Sequence, residues 1–539
     1  MVAAGSSTTT RPDSPSGRRS RRARRTSRRR LPKPKWKRPD WQGLRTRWSR
    51  GVDLVHGALA TWPVAEGVLG SFLLALGSLT PAFLPRASQG GDLFRWTGVG
   101  TVLMLIGTSL ILHGWFRLRP GRHATTPDGR RPRYLPVLAL WVAPLLTAPP
   151  MFSGDAYSYA AQGSLMNHGL DPYQLGPAAI PGPWADQVDP MWLTTPAPYG
   201  PLSVALQYLT VAVIGDNVYV AAWAMRVWAM IGVGLLAYCI PRIANRLGLD
   251  PARAMWIGVL NPIVLLHFVG GAHNDALMMG FVALGLLLAV RRQLFWAAIA
   301  IGLATAMKQP AALAALPVAV LALRPIGDEP GPARGWPEPR QLVAFAWTIG
   351  LTVATFILVS TSTGTGFGWL RAVNVPGVAR TLSPTTMLGG GLELLFGFLD
   401  LDRAAELALG TVRSIGLAIA GAIIVWLALR VGSRKPMTFL VAGLFAFVLG
   451  GPSMHAWYLL WPGVLVGLLP YSEKVWRVAI WLTTFWVCYA VADAAFRNQA
   501  PLVAWLAIAV SAWLLLSDER QRLADRVRTR VPEPEAVEH

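Results

Sequence analysis

The first group able to do chemistry is a carboxylate. In Phe152-Ser153-Gly154-Asp155-Ala156-Tyr157-Ser158-Tyr159-Ala160-Ala161-Gln162-Gly163, Gly154 ends one apolar stretch and Asp155 opens the next helix. Tyr159 follows Asp155 by four residues and Gln162 follows Tyr159 by three, so the three share one helix face. A carboxylate, an aromatic ring and an amide so placed suit a sugar; the plain alternative is a helix cap. A second cluster, His273-Asn274-Asp275, stands between two apolar runs, where polar side chains at the hydrocarbon edge are costly unless they are used. Its alternative is capping by Asn274 or Asp275. One imidazole beside carboxylates is a poor metal set without a second at ligand spacing, and His455 can supply that only by tertiary contact. No metal ligand is assigned.

Further candidates follow the same pattern. Lys308, Arg371, Arg380 and Arg413, with His273, are the outward cations able to receive an anionic group; each is otherwise a snorkelling cation or a helix-end charge. Tyr173, Trp184, Trp192 and Tyr199, with the Pro turns and acidic side chains of the same outer segment, describe a carbohydrate groove, and Tyr157, His455, Trp457 and Tyr458 are further substrate-binding candidates. Taken singly, the aromatic rings describe an interfacial belt.

These residues need elements to hold them, and the composition says which. Of 539 residues, 53% are apolar and 14% charged, which is too greasy for a soluble globular chain. Apolar segments follow one another from Ala65 to Leu516. The fold expected is an all-α polytopic membrane protein with about 12–14 transmembrane helices. The net charge of +22 invites a nucleic-acid reading, but residues 1–50 hold 17 Lys/Arg against Asp13 and Asp40, so +15 of it is a tail. No nucleic-acid partner is assigned. Cys239 and Cys488 fall inside apolar runs and make no disulfide framework.

Basic breaks between spans mark the cytoplasmic side. They fall at 117–133, 242–253, 291–292, 324–340, 430–435 and 474–477 and after Asp518, whereas the stretch from Tyr134 to Met225 holds no Lys or Arg. The polar segment Met151–Tyr199 is therefore outside. The chain then divides into a disordered basic cytoplasmic tail at 1–50, a multi-span membrane domain at 51–517 with the outer loop 151–217 carrying Asp155, and a cytoplasmic tail at 518–539. Spans are expected near 64–84, 96–116, 134–150, 218–240, 254–270, 275–290, 293–308, 310–324, 341–361, 408–430, 436–450, 456–471, 475–495 and 500–516. Pro201–Ile214 and Met387–Leu399 are read as re-entrant or interfacial helices on the outer face.

The order Gly154-Asp155-x-Tyr157-x-Tyr159-Ala160-Ala161-Gln162-Gly163, Asp171-Pro172-Tyr173, Tyr199-Gly200-Pro201, Gly271-x-His273-Asn274-Asp275, Lys308-Gln309-Pro310 and Trp457-Tyr458 resembles the actinobacterial polyprenol-phosphomannose-dependent α-1,6-mannopyranosyltransferases, across roughly Pro136–Pro470. The resemblance implies a GT-C fold in the plasma membrane, an extracytoplasmic site and a polyprenyl-phosphate-mannose donor. It also implies a lipid-linked mannan acceptor of the lipomannan type, with membrane lipids as surroundings, and Asp155 as the catalytic residue. Forming an α-linkage from a β-linked donor inverts the anomeric centre in one displacement, for which one general base is enough. Related enzymes often carry an acidic doublet where Asp155 is followed by Ala156, so no cofactor is certain and a divalent cation stays open. The remaining alternatives are another polyprenyl-phosphate sugar, arabinosyl or glucosyl, and a secondary transporter or lipid flippase. A transporter would place ionisable groups near the midplane, and of those only Arg226 fits.

Overall fold

The computed structural model describes residues 61–84, 97–121, 133–323, 339–371 and 375–530. The basic stretch 1–50 and residues 531–539 lie outside them. Among the described residues the regular structure is helical, as long apolar runs without water to satisfy the backbone require. The order is α1 (Trp62–Gly77), α2 (Thr97–Arg117), α3 (Tyr134–Leu145), α4 (Asp155–Asn167), α5 (Pro201–Ile214), α6 (Val218–Arg246), α7 (Pro251–Val259), α8 (Val264–Gly270) and α9 (Asp275–Val290). There follow α10 (Leu294–Met307), α11 (Gln309–Leu323), α12 (Pro339–Ser362), α13 (Pro384–Phe398), α14 (Asp402–Gly432), α15 (Pro436–Gly450), α16 (Glu473–Arg497) and α17 (Pro501–Arg530).

Six of these, α2, α6, α12, α14, α16 and α17, are long and apolar enough to cross a membrane, and the pair α7/α8, bent by 62°, makes a seventh when read as one broken span. Seven shorter apolar helices accompany them. The long helices, the bent pair and six of the short helices account for thirteen of the fourteen expected segments. The fourteenth, 456–471, is not a helix: only Leu460–Gly463 forms a turn of α-helix, followed by a 3-10 turn. Pro462, Gly463, Gly467 and Pro470 explain the break, since proline lacks a donor and glycine resists helical order. This irregular backbone is tolerated because protein buries it, with Trp461, Val464 and Leu465 at 1% exposure or less. Pro201–Ile214 has the limits of α5, and Met387–Leu399 overlaps α13, with Leu399 at its C-cap. α17 runs unbroken past 517, where Asp518 is buried beside Arg119 at 3.6 Å.

Two features bring the site together. Small residues let helix backbones touch: a Cβ on Gly163 of α4 would stand 2.5 Å from the Gln207 carbonyl oxygen of α5, and one on Gly232 of α6 would stand 2.2 Å from Ala276 of α9. The second is Arg226, near the start of α6 and 3% exposed. Its guanidinium donates to five backbone carbonyls: Leu146 (3.2 Å), Ala148 (2.8 Å), Pro149 (3.2 Å), Val269 (2.8 Å) and Gly270 (3.1 Å). It therefore ties the exit of α3, which leads to Asp155, to the exit of α8, which leads to His273. The one residue that suited a transporter is a structural clamp.

The Leu146 carbonyl also accepts from Trp223 Nε1 at 2.8 Å and the Gly270 carbonyl from the Met151 N–H at 3.1 Å, so Arg226→Met, which keeps bulk but no donor, strands the Ala148, Pro149 and Val269 carbonyls at about 1–3 kcal/mol each. The variant in detergent should unfold with a stability lower by about 3–9 kcal/mol. A variant within about 0.5 kcal/mol of the parent would show that the clamp is dispensable.

Candidate active site

Asp155 is the first residue of α4, after Gly154 at the cap position. Its own N–H donates to the Ser153 hydroxyl at 3.1 Å, and because Gly154 holds the capping position the Asp155 carboxylate stands one residue beyond it. It is 19% exposed and looks into a cavity of about 560 Å³, within the range of small-molecule sites. The Tyr159 hydroxyl donates to Asp155 Oδ2 at 3.4 Å, and His273 Nδ1 lies 3.4 Å from the same hydroxyl and 3.6 Å from the carboxylate. Burial pushes the Asp155 carboxyl up from its ordinary 3.8 to about 6, against the lowering effect of Ser153 and of the Lys308 charge.

His273 is held by stacking. Its ring lies on Trp457 at 3.8 Å, and His455 lies on the same indole at 4.5 Å, so the irregular 451–459 segment joins the His-Asn-Asp turn in one aromatic pile. His267, which sequence reasoning passed over as part of an apolar run, meets Trp457 at 5.6 Å and lines the cavity. The backbone is strained on both sides of the carboxylate. Phe152 and Ala272 have φ of 62° and 55°, a region non-glycine residues adopt only when surrounding contacts hold them there.

The rest of the triplet faces elsewhere. Asn274 Nδ2 donates to Ser203 Oγ of α5 at 2.8 Å and makes no cap. Asp275 Oδ1 accepts from Lys308 Nζ at 3.0 Å and from Trp461 Nε1 at 2.7 Å. The Lys308 ammonium also sits over the rings of Tyr458 (4.3 Å), Trp461 (5.1 Å) and Tyr199 (5.6 Å). Lys308, Asp275 and His273 form the support beneath the cavity, whereas Asp155, Tyr157, Gln162, Tyr199, Arg380, His455, Trp457 and Tyr458 line it. Tyr157 donates to the Phe83 carbonyl at 2.9 Å, and Tyr173, behind the wall, donates to the Tyr199 carbonyl at 2.9 Å.

The arginines separate. Arg380 reaches the cavity and pairs with Glu393 at 2.9 Å. Arg413 does not line it: its guanidinium bonds the Gly377 carbonyl (2.6 Å), the Ala379 carbonyl (3.0 Å) and the Thr386 hydroxyl (2.9 Å), which anchors the segment that presents Arg380. Arg371 ends a 3-10 turn on the protein surface, away from the lining. Arg497, at the end of α16 and paired with Asp493 at 2.8 Å, lines the cavity although the sequence reading did not select it. A helix-end arginine looks like any snorkelling cation in one dimension. Among the described residues no group of three or more His, Cys, Asp or Glu could hold a metal ion.

Residues 64–324 match the family model of the alpha-(1->6)-mannopyranosyltransferase N-terminal domain, and residues 385–517 match that of the MptB C-terminal domain. Alpha-(1->6)-mannopyranosyltransferase A of Mycobacterium tuberculosis is 31% identical over 433 residues, covering 79% of this chain and 80% of that protein. A probable alpha-(1->6)-mannopyranosyltransferase of Mycolicibacterium smegmatis is 32% identical over 73% of this chain and 76% of its own length. Alpha-(1->6)-mannopyranosyltransferase A of Corynebacterium glutamicum is 30% identical over 71% and 81%. The two matched regions hold the carboxylate with its imidazole at one end and the wall bearing Arg497 at the other, and the chain belongs to the alpha-(1->6)-mannopyranosyltransferase family of multi-span membrane glycosyltransferases.

Proposed function

We propose that the chain moves mannose from a polyprenyl-phosphate-mannose donor to the 6-hydroxyl of a lipid-linked α-(1→6)-mannan acceptor, with inversion and with Asp155 as general base. The observation that carries this reading is the Asp155 carboxylate, partly exposed in a cavity of about 560 Å³ and spared from ion pairing with Lys or Arg. In the reaction the acceptor hydroxyl gives its proton to Asp155 as its oxygen attacks the anomeric carbon. The bond from that carbon to the phosphate oxygen breaks, and its electron pair leaves with the lipid phosphate. A phosphate leaves as an anion and needs no acid, so one carboxylate meets the proton balance. Tyr159 and His273 orient the base, and Arg380 and Arg497 receive the phosphate.

The reading places the cavity on the extracytoplasmic face of the plasma membrane. Its support is the basic residues gathered in the breaks at the opposite helix ends and the lack of Lys or Arg from Tyr134 to Met225. In this reading residues 1–50 and 518–539 are cytoplasmic and 51–517 form the catalytic membrane domain.

Asp155→Asn keeps the shape and removes the proton acceptor. Purified variant incubated with radiolabelled mannosyl phosphopolyprenol and a short α-1,6-mannoside should transfer about 10²–10⁴-fold more slowly while still binding donor. A folded variant within about threefold of the parent would remove the base.

Protonation takes away the lone pair that must accept the hydroxyl proton. With the carboxyl pushed up to about 6, kcat/KM should climb with pH below that value and level off above it. A profile flat from pH 5 to about pH 8 contradicts the assignment. Arg380→Gln and Arg497→Gln should each raise the donor concentration needed for half-maximal rate, with a smaller effect on acceptor dependence; equal effects on both substrates would place the phosphate elsewhere.

A further inference from the structure

One face of α4 carries more than the base. Asp155, Ser158 and Gln162 succeed one another at spacings of three and four residues, and all three line the cavity. Ser158 and Gln162 are each 5% exposed, yet Ser158 Oγ and Gln162 Oε1 have no hydrogen-bond partner among the described residues. Buried polar atoms are nearly always bonded, and a stranded one is costly. Two such atoms on the face that bears the base are provision for a ligand that brings its own hydroxyls.

Charge tells which ligand. The segment from Tyr134 to Met225 has no Lys or Arg, so the wall it builds offers no cation to a phosphate. Beyond α4 it contributes Gln187, Asp189, Trp192 and Thr195 to the cavity. A carboxylate repels an anion, while neutral hydrogen-bonding groups and an indole face suit an uncharged sugar. The cations that line the cavity, Arg380 and Arg497, come from outside this segment. The phosphate-bearing donor therefore belongs to their wall and the neutral chain to the wall of α4. Reach then sets the length: from Asp155 to Gln162 is seven residues, about 10 Å of helix, farther than one pyranose ring extends from its reacting hydroxyl.

We infer that the α4 wall is an acceptor site for at least two sugars, the reacting one at Asp155 and the preceding one against Ser158 and Gln162. The inference rests on the mannosyl-transfer reading above and adds to it that Ser158 and Gln162 read the sugar before the reacting one. Binding of the second sugar is what satisfies the two stranded atoms, so its loss is felt as discrimination against shorter acceptors.

The test uses the purified full chain, mannosyl phosphopolyprenol as donor and α-mannoside acceptors of one, two and three sugars. The parent should show kcat/KM at least about tenfold higher for the dimannoside than for the monomannoside, the factor one lost hydrogen bond is worth, with little further gain for three. Ser158→Ala and Gln162→Leu should each lower that two-to-one ratio several-fold. Because it is a ratio, it does not depend on how much of each variant is folded. Equal use of one and two sugars by the parent, or an unchanged ratio in both variants, overturns the inference and leaves mannosyl transfer standing. Variants that raise the donor KM at an unchanged ratio assign the stripe to the donor instead and equally overturn it. Failure of the parent to extend any acceptor overturns the transfer reading and this inference with it.

Discussion

The site depends on one buried guanidinium. Two segments that carry its chemistry, 146–155 and 269–275, leave their helices with carbonyls that no later helical turn can satisfy. Both lie in a region packed among apolar helices, where an unsatisfied carbonyl costs more than it would beside water. Arg226 answers five of these carbonyls at once with a planar, permanently charged donor set that no other side chain provides. Besides it, the two exits meet through the Met151 N–H bond to the Gly270 carbonyl at 3.1 Å and through His273 and Asp155 themselves at 3.6 Å. The placement of Asp155 against His273 is thus supported by a residue that touches neither.

Around that anchor the site is built from helix ends and broken backbone. The bend between α7 and α8 occurs at Asn261-Pro262, where Asn261 accepts from the Ile263 N–H at 2.9 Å and donates to Thr483 of α16 at 2.9 Å. The 451–459 segment is equally irregular and supplies Trp457 as the plate between two imidazoles. Regular helix would aim these side chains along a repeating stripe. Interruptions let groups far apart in sequence converge on one point, and burial by surrounding helices makes the interruptions affordable at membrane depth. The left-handed backbone at Phe152 and Ala272 belongs to the same economy of short, sharply turned connections.

This explains which parts of the molecule were legible in the sequence. Helices were, because a long apolar run has few other options, and the α5 limits were read to the residue. The polar clusters at 155, 273 and 455 stood out in the sequence, since such residues are rare among apolar runs, and the structure brings them together beside one cavity. Their division of labour was not legible. Asp275 and Lys308 both read as candidate substrate contacts, but whether they face the cavity or each other depends on a 3.0 Å contact between residues 33 apart. Arg413 and Arg497 posed the same difficulty in reverse: the selected one bonds to carbonyls and the overlooked one lines the cavity. Residue type shows that a cation is there; only tertiary structure shows whether its donors are already used. The 456–471 segment departs from a continuous helix for a simpler reason, as its hydropathy outweighed two prolines and two glycines that interrupt helical order.

The carboxylate itself is a balance of opposing effects. At the first position of a helix, the unpaired N–H groups favour the anion, and Ser153 and Lys308 pull in the same direction. Desolvation pulls the other way and prevails, leaving the carboxyl at about 6 rather than near its ordinary value. A base more strongly stabilised as an anion, for instance by direct pairing with Lys308, would accept a hydroxyl proton less readily. Asp275 prevents that pairing by taking the ammonium itself, with Trp461 Nε1 donating to the same oxygen at 2.7 Å. The second carboxylate thus keeps the nearest cation occupied, so that Asp155 feels the lysine as a distant charge and not as a direct partner.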